Sequence, residues 1–399
     1  NVMLYQKSVL NKYLKEQNED LVNSAYQTYK AYFHNPQIQQ NIIDSKEEQF
    51  QEGFLRELFV AVFGYVLNPQ PDFNLTTEFK NEKGSKKADG AILKDGKAIA
   101  VIELKSTKTK DLESIRQQAF DYKANHSSCV YVITSNFQKL RFYINNAVEF
   151  EEFDLFILPE EQFKLLFLCL NSENLLNDLP LKVKEASILE EEQITKKFYD
   201  DYSNFKRALF ENIAIGNENL ENVTKLQLYK KTQKLLDRFL FIFFAEDRNL
   251  LPPNSISRMI KRWNLLNDED AYKPLYEIYK QYFGYINTGR TGKTPENDIH
   301  EYNGGLFLPD ELLDSIKIDD DVLLKHTAIL TNYDFESQVD VNILGHIFEH
   351  SLNEIESTTA ELEGVDFDKQ KSKRKKDGVF YTPKYITKYI VDNTVGKLC

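Results

Sequence analysis

The sequence predicts an α/β domain followed by a mostly α-helical region, and three patterns along the chain support this. Apolar residues before about residue 65 recur at helical spacing, most clearly in EEQFQEGFLRELFVAVFGY. From about 73 to 150 the pattern changes to short strands, which one helix near 111–125 interrupts. From about 155 to 355 almost every segment has a helical pattern with short loops. This order of helices and strands over about 100 residues is typical of an α/β or α+β domain.

The element boundaries follow from turn and cap signals. Asp111 is placed to cap the helix that interrupts the strands. The Pro252–Pro253 pair ends the clearest later helix, KKTQKLLDRFLFIFFAEDRNLL. The predicted strands are FNLTTEF, ADGAIL, AIAVIELKS, CVYVITS and KLRFYIN. The predicted domains are an α/β domain at 1–155, a helical domain at 156–368, a basic linker at 369–377 and a short last segment at 378–399.

Composition narrows the class of protein. With 399 residues, of which 42% are hydrophobic and 13% aromatic, the chain is globular and has room for two or three domains. Its three cysteines are few and widely spaced, which predicts a reducing cytoplasm and argues against a disulfide framework or a zinc cluster. We see no signal peptide, and the longest apolar run, LFIFFA, is too short for a membrane span. The formal net charge of −12 argues mildly against a nucleic-acid partner, although a basic groove can lie on an acidic body.

The strand AIAVIELKST ends in two charges that need an explanation. Ile99, Val101, Glu103 and Lys105 alternate onto one face, and the strand is apolar enough at its start to be buried on both sides. Unpaired charges at a buried position would cost several kcal/mol. Three explanations remain open: the strand end emerges into solvent, the charges form a structural ion pair, or a divalent cation neutralises Glu103 beside Lys105. The third explanation needs a second carboxylate.

Asp89 is the candidate for that second carboxylate, and the hairpin around Asp95–Gly96 decides whether it qualifies. A two-residue loop there would place Asp89 opposite Ile102, on the wrong face of the sheet. A three-residue loop at 94–96 instead places Asp89 on the face of Glu103, one diagonal step away, which is about 7–8 Å between backbones. One residue of register therefore decides whether the site exists, and we predict the three-residue loop.

The pattern D-x(13)-E-x-K consists of Asp89 and, after thirteen further residues, Glu103-Leu104-Lys105. It resembles the PD-(D/E)xK nuclease core. The order of helices and strands is similar, although Ala88 stands in place of the proline. The resemblance implies that Asp89 and Glu103 bind Mg²⁺ and that Lys105 positions or activates the attacking water. Such chemistry suits phosphodiester hydrolysis, because a metal-bound water is a strong nucleophile at neutral pH.

Flanking residues extend the resemblance. The family often adds an acid from the first helix, for which Glu48 is the first choice and Glu52 the second; a solvated helix face is the alternative. Gln118 and Tyr122 match the family's QxxxY element, in which Gln118 orients the substrate or a ligand; ordinary helix polarity is the alternative. Tyr122 is also a candidate for contact with DNA. Four lysines on both sides of the acidic pair are candidates for contacts with DNA phosphates, with solvated loop charges as the alternative: Lys86, Lys87, Lys108 and Lys110.

The later chain resembles the N-terminal part of a type IIG fused restriction–modification enzyme. The segments LFIFFAEDRNLLP, YNGGLF and LGHIFEHSL are similar to the helical connector and methyltransferase entry of such enzymes. GVFYTPKYITKYIVD resembles the opening motif of an adenine-N6 DNA methyltransferase, which implies that Phe380, Tyr381, Thr382 and Pro383 touch S-adenosylmethionine. No later methyltransferase motif or target-recognition domain follows, so we expect this chain to be a piece that depends on those domains in cis.

These patterns predict a cytoplasmic Mg²⁺-dependent endonuclease module that acts on double-stranded DNA. The alternative is a catalytically silent nuclease-like arm that binds DNA or assembles a methyltransferase. Cleavage of both strands by one nuclease domain and by a transient dimer of two are alternatives, and the sequence does not specify the DNA target.

Overall fold

The computed structural model describes residues 4–80, 87–302, 304–339 and 341–364, and the linker and last segment predicted at 369–377 and 378–399 lie outside them. The chain divides into two compact units, with the boundary between Glu190 and Glu191. The helices are α1 (Lys7–Glu16), α2 (Glu19–Phe33), α3 (Pro36–Asp44), α4 (Glu47–Phe54) with a π-helical continuation (Leu55–Val62), α5 (Glu113–Ala124), α6 (Glu160–Leu170), α7 (Ser172–Leu176), α8 (Leu179–Gly216), α9 (Lys225–Glu246), α10 (Ser255–Asp268), α11 (Leu275–Thr288), α12 (Glu311–Ser315), α13 (Asp320–Leu330) and α14 (Val341–Leu362). The strands are β1 (Leu75–Lys80), β2 (Lys87–Lys94), β3 (Lys97–Leu104), β4 (Tyr131–Ser135), β5 (Lys139–Ile144) and β6 (Phe150–Asp154).

The six strands form one mixed sheet in sequence order, β1 to β6. Only the β3–β4 pair is parallel, and α5 makes the crossover that a parallel pair requires. Helices α1 to α4 and α6 share a large apolar core with the sheet, whereas α5 packs on a smaller cluster that includes Val101 and Val132. Strand β3 is therefore buried on both faces, as the sequence predicts. The predicted α/β core and helical region are both present.

Strand β6 was not predicted from the sequence. Its segment, Phe-Glu-Glu-Phe-Asp, does not alternate cleanly between apolar and polar residues. Tertiary partners make it a strand, because it pairs with β5 and because Glu152 binds Arg141 across that pair at 2.6 Å. Asp111 does act at the start of α5, where its carboxylate accepts a hydrogen bond from the Glu113 amide at 2.9 Å.

The first unit extends further than the boundary expected after residue 155. Phe163, Leu166 and Val183 are fully buried in the same apolar core as the sheet. The change from strand to helix patterning near residue 155 marks a change of element type. It does not show which core the next helices join, and here α6 and the start of α8 complete the first core.

The β2–β3 hairpin corrects the predicted three-residue loop. Lys94 pairs with Lys97, so the loop has two residues, and Asp95 and Gly96 both have positive φ angles of 50° and 74°. Two successive left-handed residues are the mark of a type I′ turn, which suits the twist of a hairpin. The predicted loop is therefore wrong.

A β-bulge in β3 shifts the strand pairing by one residue and so places Asp89 beside Glu103. Ile92 pairs with Ala100 and Leu93 with Ala98, so Ile99 is an extra residue on β3 and joins the larger core rather than the face of Val101. Beyond the bulge Gly90 pairs with Ile102, which brings the residue before Gly90, Asp89, beside the residue after Ile102, Glu103.

The second unit is helical around its own apolar core, and its helix α9 carries a buried arginine. Arg238 is 1% exposed, and its guanidinium donates hydrogen bonds to the backbone oxygens of Leu306 and Leu308 at 2.9 and 3.0 Å. These bonds hold the segment that follows Gly304–Gly305 against α9. Among the described residues, none of the helices is both long and apolar enough to cross a bilayer.

Candidate active site

The ends of β2 and β3 bring Asp89, Glu103 and Lys105 together. The Asp89 carboxylate accepts a hydrogen bond from the Leu104 amide at 2.7 Å. The Lys105 ammonium donates to Glu103 Oε1 at 3.1 Å and to the Leu104 carbonyl at 3.1 Å. Glu103 is only 1% exposed, which excludes the explanation that this strand end simply emerges into solvent.

Helix α4 adds two side chains that the sequence analysis missed. Glu47 Oε1 accepts a hydrogen bond from Lys105 Nζ at 3.2 Å. Gln51, one turn later, donates to Glu47 Oε1 at 3.4 Å. The cluster therefore has three carboxyl groups and one ammonium group, and when fully ionised it carries two excess negative charges.

Neither acid predicted on this helix is the one that contacts Lys105. Glu48 is exposed, and Glu52 pairs with Arg56 at 2.7 Å. The rotation of α4 about its axis makes the difference, because Phe50 packs its ring at 5.1 Å from that of Phe137 and so fixes which face meets the sheet.

A sequence signal for Glu47 and Gln51 did exist. At 3.6 residues per turn, both fall within the face that Phe50, Phe54 and Leu58 define, although they are polar. Polar residues inside an otherwise apolar helix face are unusual, and they point to a buried polar partner.

Helix α5 places Gln118 on the acidic pair from the other side. Its Nε2 donates to Glu103 Oε1 at 2.6 Å and to the Tyr122 hydroxyl at 3.1 Å. Tyr122 is 5% exposed, and its ring belongs to the core under α5. The expected DNA contact by Tyr122 does not fit this burial. The hydroxyl instead helps to hold Gln118.

The pKa shifts in the cluster come first from burial and then from neighbouring negative charge. Burial, followed by the Asp89 charge, raises the pKa of Glu103 to about 7, and burial raises that of Asp89. Burial alone would lower the pKa of Lys105, but the charges of Glu103, Asp89 and Glu47 outweigh it, so the pKa rises. Asp89 and Glu103 therefore keep their protons to a higher pH than a free carboxyl group does.

One atom points to a missing partner. Glu103 Oε2 is buried and has no hydrogen-bond partner among the described residues. A bare carboxylate oxygen, together with the excess negative charge, fits a bound divalent cation. Within the described part of the chain no group of three or more His, Cys, Asp or Glu side chains is arranged to hold a metal. The fit is thus to an ion such as Mg²⁺, which keeps waters and substrate oxygens in its coordination shell and needs only one or two carboxylates.

The remaining predicted residues lie around or outside this cluster. Lys108 and Lys110 are exposed on the segment after β3, and Lys87 is exposed and pairs with Glu78 at 2.9 Å. Lys86 lies outside the described residues, as do the four candidates for S-adenosylmethionine contacts: Phe380, Tyr381, Thr382 and Pro383.

Comparison with known proteins gives one relative in sequence. No protein-family model matches the chain. A protein of Methanocaldococcus jannaschii, named "Putative type II restriction enzyme and methyltransferase RM.MjaORFECS2P", is 26% identical in an alignment 331 residues long that covers 75% of this chain and 24% of that protein. The chain thus spans about a quarter of that relative's length.

A structural comparison adds a weaker match. The cryo-EM structure of a DrdV–DNA complex covers 94% of this chain and 31% of its own, at 13% identity and a TM-score of 0.26. That score is too low for a conclusion about fold or function. What stands is that the chain is homologous over three quarters of its length to one part of a protein named as a restriction enzyme and methyltransferase.

Proposed function

We propose that the first unit is a Mg²⁺-dependent DNA nuclease domain with a PD-(D/E)xK core, and that it belongs to a restriction–modification protein. One observation carries the proposal: Asp89, Glu103 and Lys105 meet at one strand end, where Glu103 Oε2 is buried without a partner. The name of the homologous protein supports the same role.

The side chains divide the work in a simple way. Asp89 and Glu103 would hold Mg²⁺, which when bound makes a water nucleophilic at neutral pH and offsets charge on the phosphate. The Leu104 amide and Gln118 hold the two carboxylates in place. Lys105 would exchange its contacts with Glu103 and Glu47 for contacts with the reacting phosphate and stabilise its charge.

Metal binding tests this proposal without the need for a known DNA target. We expect the wild-type chain to bind Mn²⁺, measured by electron paramagnetic resonance of free Mn²⁺, and Asp89→Asn or Glu103→Gln to abolish that binding. Glu48→Gln is the matched control and should bind as the wild type does, because Glu48 is exposed. Failure of the wild type to bind Mn²⁺ would overturn the proposal.

Lys105 separates a nuclease from a silent DNA-binding arm. Its ammonium is engaged by two carboxylates, an arrangement that on its own favours the silent arm. We expect the chain to nick supercoiled plasmid with Mg²⁺ or Mn²⁺, and Lys105→Ala to bind Mn²⁺ but not to nick. If the protein binds metal and DNA but does not nick DNA when the relative's remaining domains are present, the result would favour the silent DNA-binding arm.

The proposal extends to a longer protein. There Phe380, Tyr381, Thr382 and Pro383 would contact S-adenosylmethionine in an adenine-N6 methyltransferase domain, and a target-recognition domain in cis would choose the DNA sequence. An open reading frame that continues from Cys399 into a methyltransferase domain would support this. The activity to measure is DNA methylation that protects the DNA from cleavage.

A further inference from the structure

We propose that a basic surface on the second unit binds the phosphate backbone of double-stranded DNA. Five exposed cationic side chains form this basic surface: Arg258, Lys261, Arg262, Arg290 and Lys293. The inference rests on the proposed function, because a restriction enzyme acts on DNA, and it adds a contact outside the nuclease site. A chain with a formal net charge of −12 can bind a polyanion where its positive charge is concentrated.

Helix α10 contributes three of the five cations. Its inner face is buried in the second core through three apolar residues: Ile256, Met259 and Trp263. Arg258, Lys261 and Arg262 are exposed and lie three and four residues apart, so they are neighbours on the outer face. The acidic residues 268–270 follow only at the C-terminal end of the helix.

The loop at 288–301 supplies the other two cations and is joined to α10 by a direct contact. Arg258 Nη1 donates a hydrogen bond to Asn297 Oδ1 at 3.0 Å. The Asn297 side-chain amide donates in turn to Thr294 Oγ1 at 2.8 Å, and Lys293 is the residue before that threonine. The helix and the loop therefore present their cations side by side.

The backbone of this loop is held in one shape, which fixes where its cations lie. Arg290 and Ile299 exchange two backbone hydrogen bonds, at 2.8 and 2.9 Å. The Gly292 amide donates to Asp298 Oδ1 at 2.7 Å. A Cβ at Gly292 would lie 2.7 Å from Asn297, so a larger residue would force the loop to shift. A loop that is already ordered loses little conformational entropy when it binds a ligand.

The charges of the basic surface are available to a ligand. None of its five cations pairs with a carboxylate among the described residues, whereas three other lysines of the unit do pair: Lys231, Lys234 and Lys280. The loop also carries three acids, of which Asp298 is engaged by an amide: Glu296, Asp298 and Glu301. Five cations and three acids leave an excess of two positive charges.

The donors of this surface suit phosphate oxygens. Guanidinium groups bind phosphates through two parallel hydrogen bonds, and lysine binds them as a point charge. Thr291 is exposed on the same loop and adds a hydroxyl donor. Most hydrogen bonds from proteins to DNA go to the phosphates and sugars, which carry no sequence information. The surface therefore holds the duplex without choosing its sequence.

The salt dependence of DNA binding by the full chain tests the basic surface. The side chains of Lys261, Arg262 and Lys293 make no hydrogen bond or ion pair with a described residue, so their removal should leave the melting temperature unchanged. If each contacts one phosphate, Lys261→Ala/Arg262→Ala/Lys293→Ala should reduce the slope of log K against log salt by about 2.7. The measurement is fluorescence anisotropy of a labelled duplex of arbitrary sequence in EDTA. A reduction below about 0.9, the value of one contact, would overturn the proposal.

A second triple variant removes the same charge elsewhere on the second unit. Lys225→Ala/Lys230→Ala/Lys325→Ala replaces three exposed lysines and should keep the slope of the wild type. An equal fall in both triple variants would assign the effect to net charge and overturn the basic surface. Weaker binding of polyglutamate with an unchanged slope for DNA would assign the surface to an acidic protein, which would also overturn it.

Mn²⁺ binding separates this inference from the proposed function. Both triple variants should bind Mn²⁺ as the wild type does, because Asp89 and Glu103 lie in the first unit. If the wild type binds no Mn²⁺ while the slope falls as expected, only the metal site falls. If Mn²⁺ binds and the slope is unchanged, only the basic surface falls.

Discussion

At the scale of one residue, Glu103 combines burial with incomplete pairing. One carboxylate oxygen is held by Lys105 and Gln118, and the other has no partner among the described residues. Leaving a buried charged oxygen unsatisfied costs more than a typical hydrogen bond contributes. A bound ligand can satisfy such a group, which is the physical basis for the cation site that we propose.

Thr134 provides a test of what an unsatisfied buried group costs. It lies beside Glu103 in the β3–β4 register, is fully buried, and its hydroxyl has no partner among the described residues. We expect Thr134→Val to stabilise the protein by about 1 kcal/mol in urea unfolding, because it removes only an unpaired polar atom. Ser135→Ala is the control and should destabilise, because the Ser135 hydroxyl donates to the Lys139 carbonyl at 2.7 Å. A loss of stability in Thr134→Val would mean that a buried water satisfies the hydroxyl.

Glu246 predicts a pH dependence of stability away from the site. It is 6% exposed, accepts a hydrogen bond from the Ser255 amide at 3.0 Å, and burial raises its pKa from 4.5 to about 7. Between those values the folded state holds a proton that the unfolded state has released, so stability falls as pH rises. Glu246→Gln lacks this proton and keeps an acceptor oxygen. The wild type should therefore lose up to roughly 3 kcal/mol relative to Glu246→Gln from pH 4 to pH 8. A pH-independent difference would contradict the assignment.

Lys108 and Lys110 predict the salt dependence of DNA binding. Both are exposed just after the strand that carries Glu103 and Lys105. If each contacts one phosphate, the double variant Lys108→Ala/Lys110→Ala should reduce the slope of log K against log salt by about 1.8. Lys12→Ala, exposed on α1, is the control. An unchanged slope would show that these lysines are solvated loop charges.

At the scale of elements, the β2–β3 hairpin decides whether the acidic residues meet. The two-residue turn alone would set Asp89 opposite Ile102, and the bulge at Ile99 shifts it by one residue. The expected convergence of Asp89 with Glu103 and Lys105 is present, reached by a turn and a bulge instead of a longer loop. Bulges next to functional sites often re-aim a side chain in this way.

Gly96 tests the backbone conformation that this turn requires, and Gly284 in a helix is the comparison. A Cβ at Gly96 would meet no atom within 4 Å, but its φ of +74° is a backbone conformation that L residues rarely adopt. Gly96→Ala should destabilise the protein by about 1 kcal/mol through backbone strain alone. Gly284 lies in α11, where a Cβ also meets nothing within 4 Å, and Gly284→Ala should stabilise by about 1 kcal/mol. Effects of the same sign in urea unfolding would refute this account.

At the scale of the whole molecule, two separate cores define what can fold alone. The first core runs from Leu4 to Val183, and the second begins at Ile194. Each core is closed within its own unit, so the first unit should be an independent folding domain.

Truncation tests this division directly. We expect residues 1–190 to unfold in a single cooperative transition by circular dichroism, because they contain every described residue of the first core. Residues 1–155 lack Phe163, Leu166 and Val183, which would leave a large apolar surface exposed. That shorter piece should bind a hydrophobic dye or aggregate. Cooperative unfolding of residues 1–155 would restore the boundary expected from the sequence.

Local patterns were enough to predict β1 to β5 and most helices, although not β6. The spacing of Asp89, Glu103 and Lys105, and the four-residue step from Gln118 to Tyr122, matched the motifs of the family that the chain resembles. These features depend on residues close in sequence, whose periodicity is set by the geometry of a single helix or strand.

Long-range packing decided the rest. The Phe50–Phe137 contact rotates α4 so that Glu47 and Gln51, rather than Glu48, meet the sheet. The bulge at Ile99 and the addition of α6 to the first core likewise depend on neighbours far away in sequence. Such contacts are set by shape and burial across the whole core, so a local pattern can mark a polar residue on an apolar helix face but does not show which distant side chain it meets.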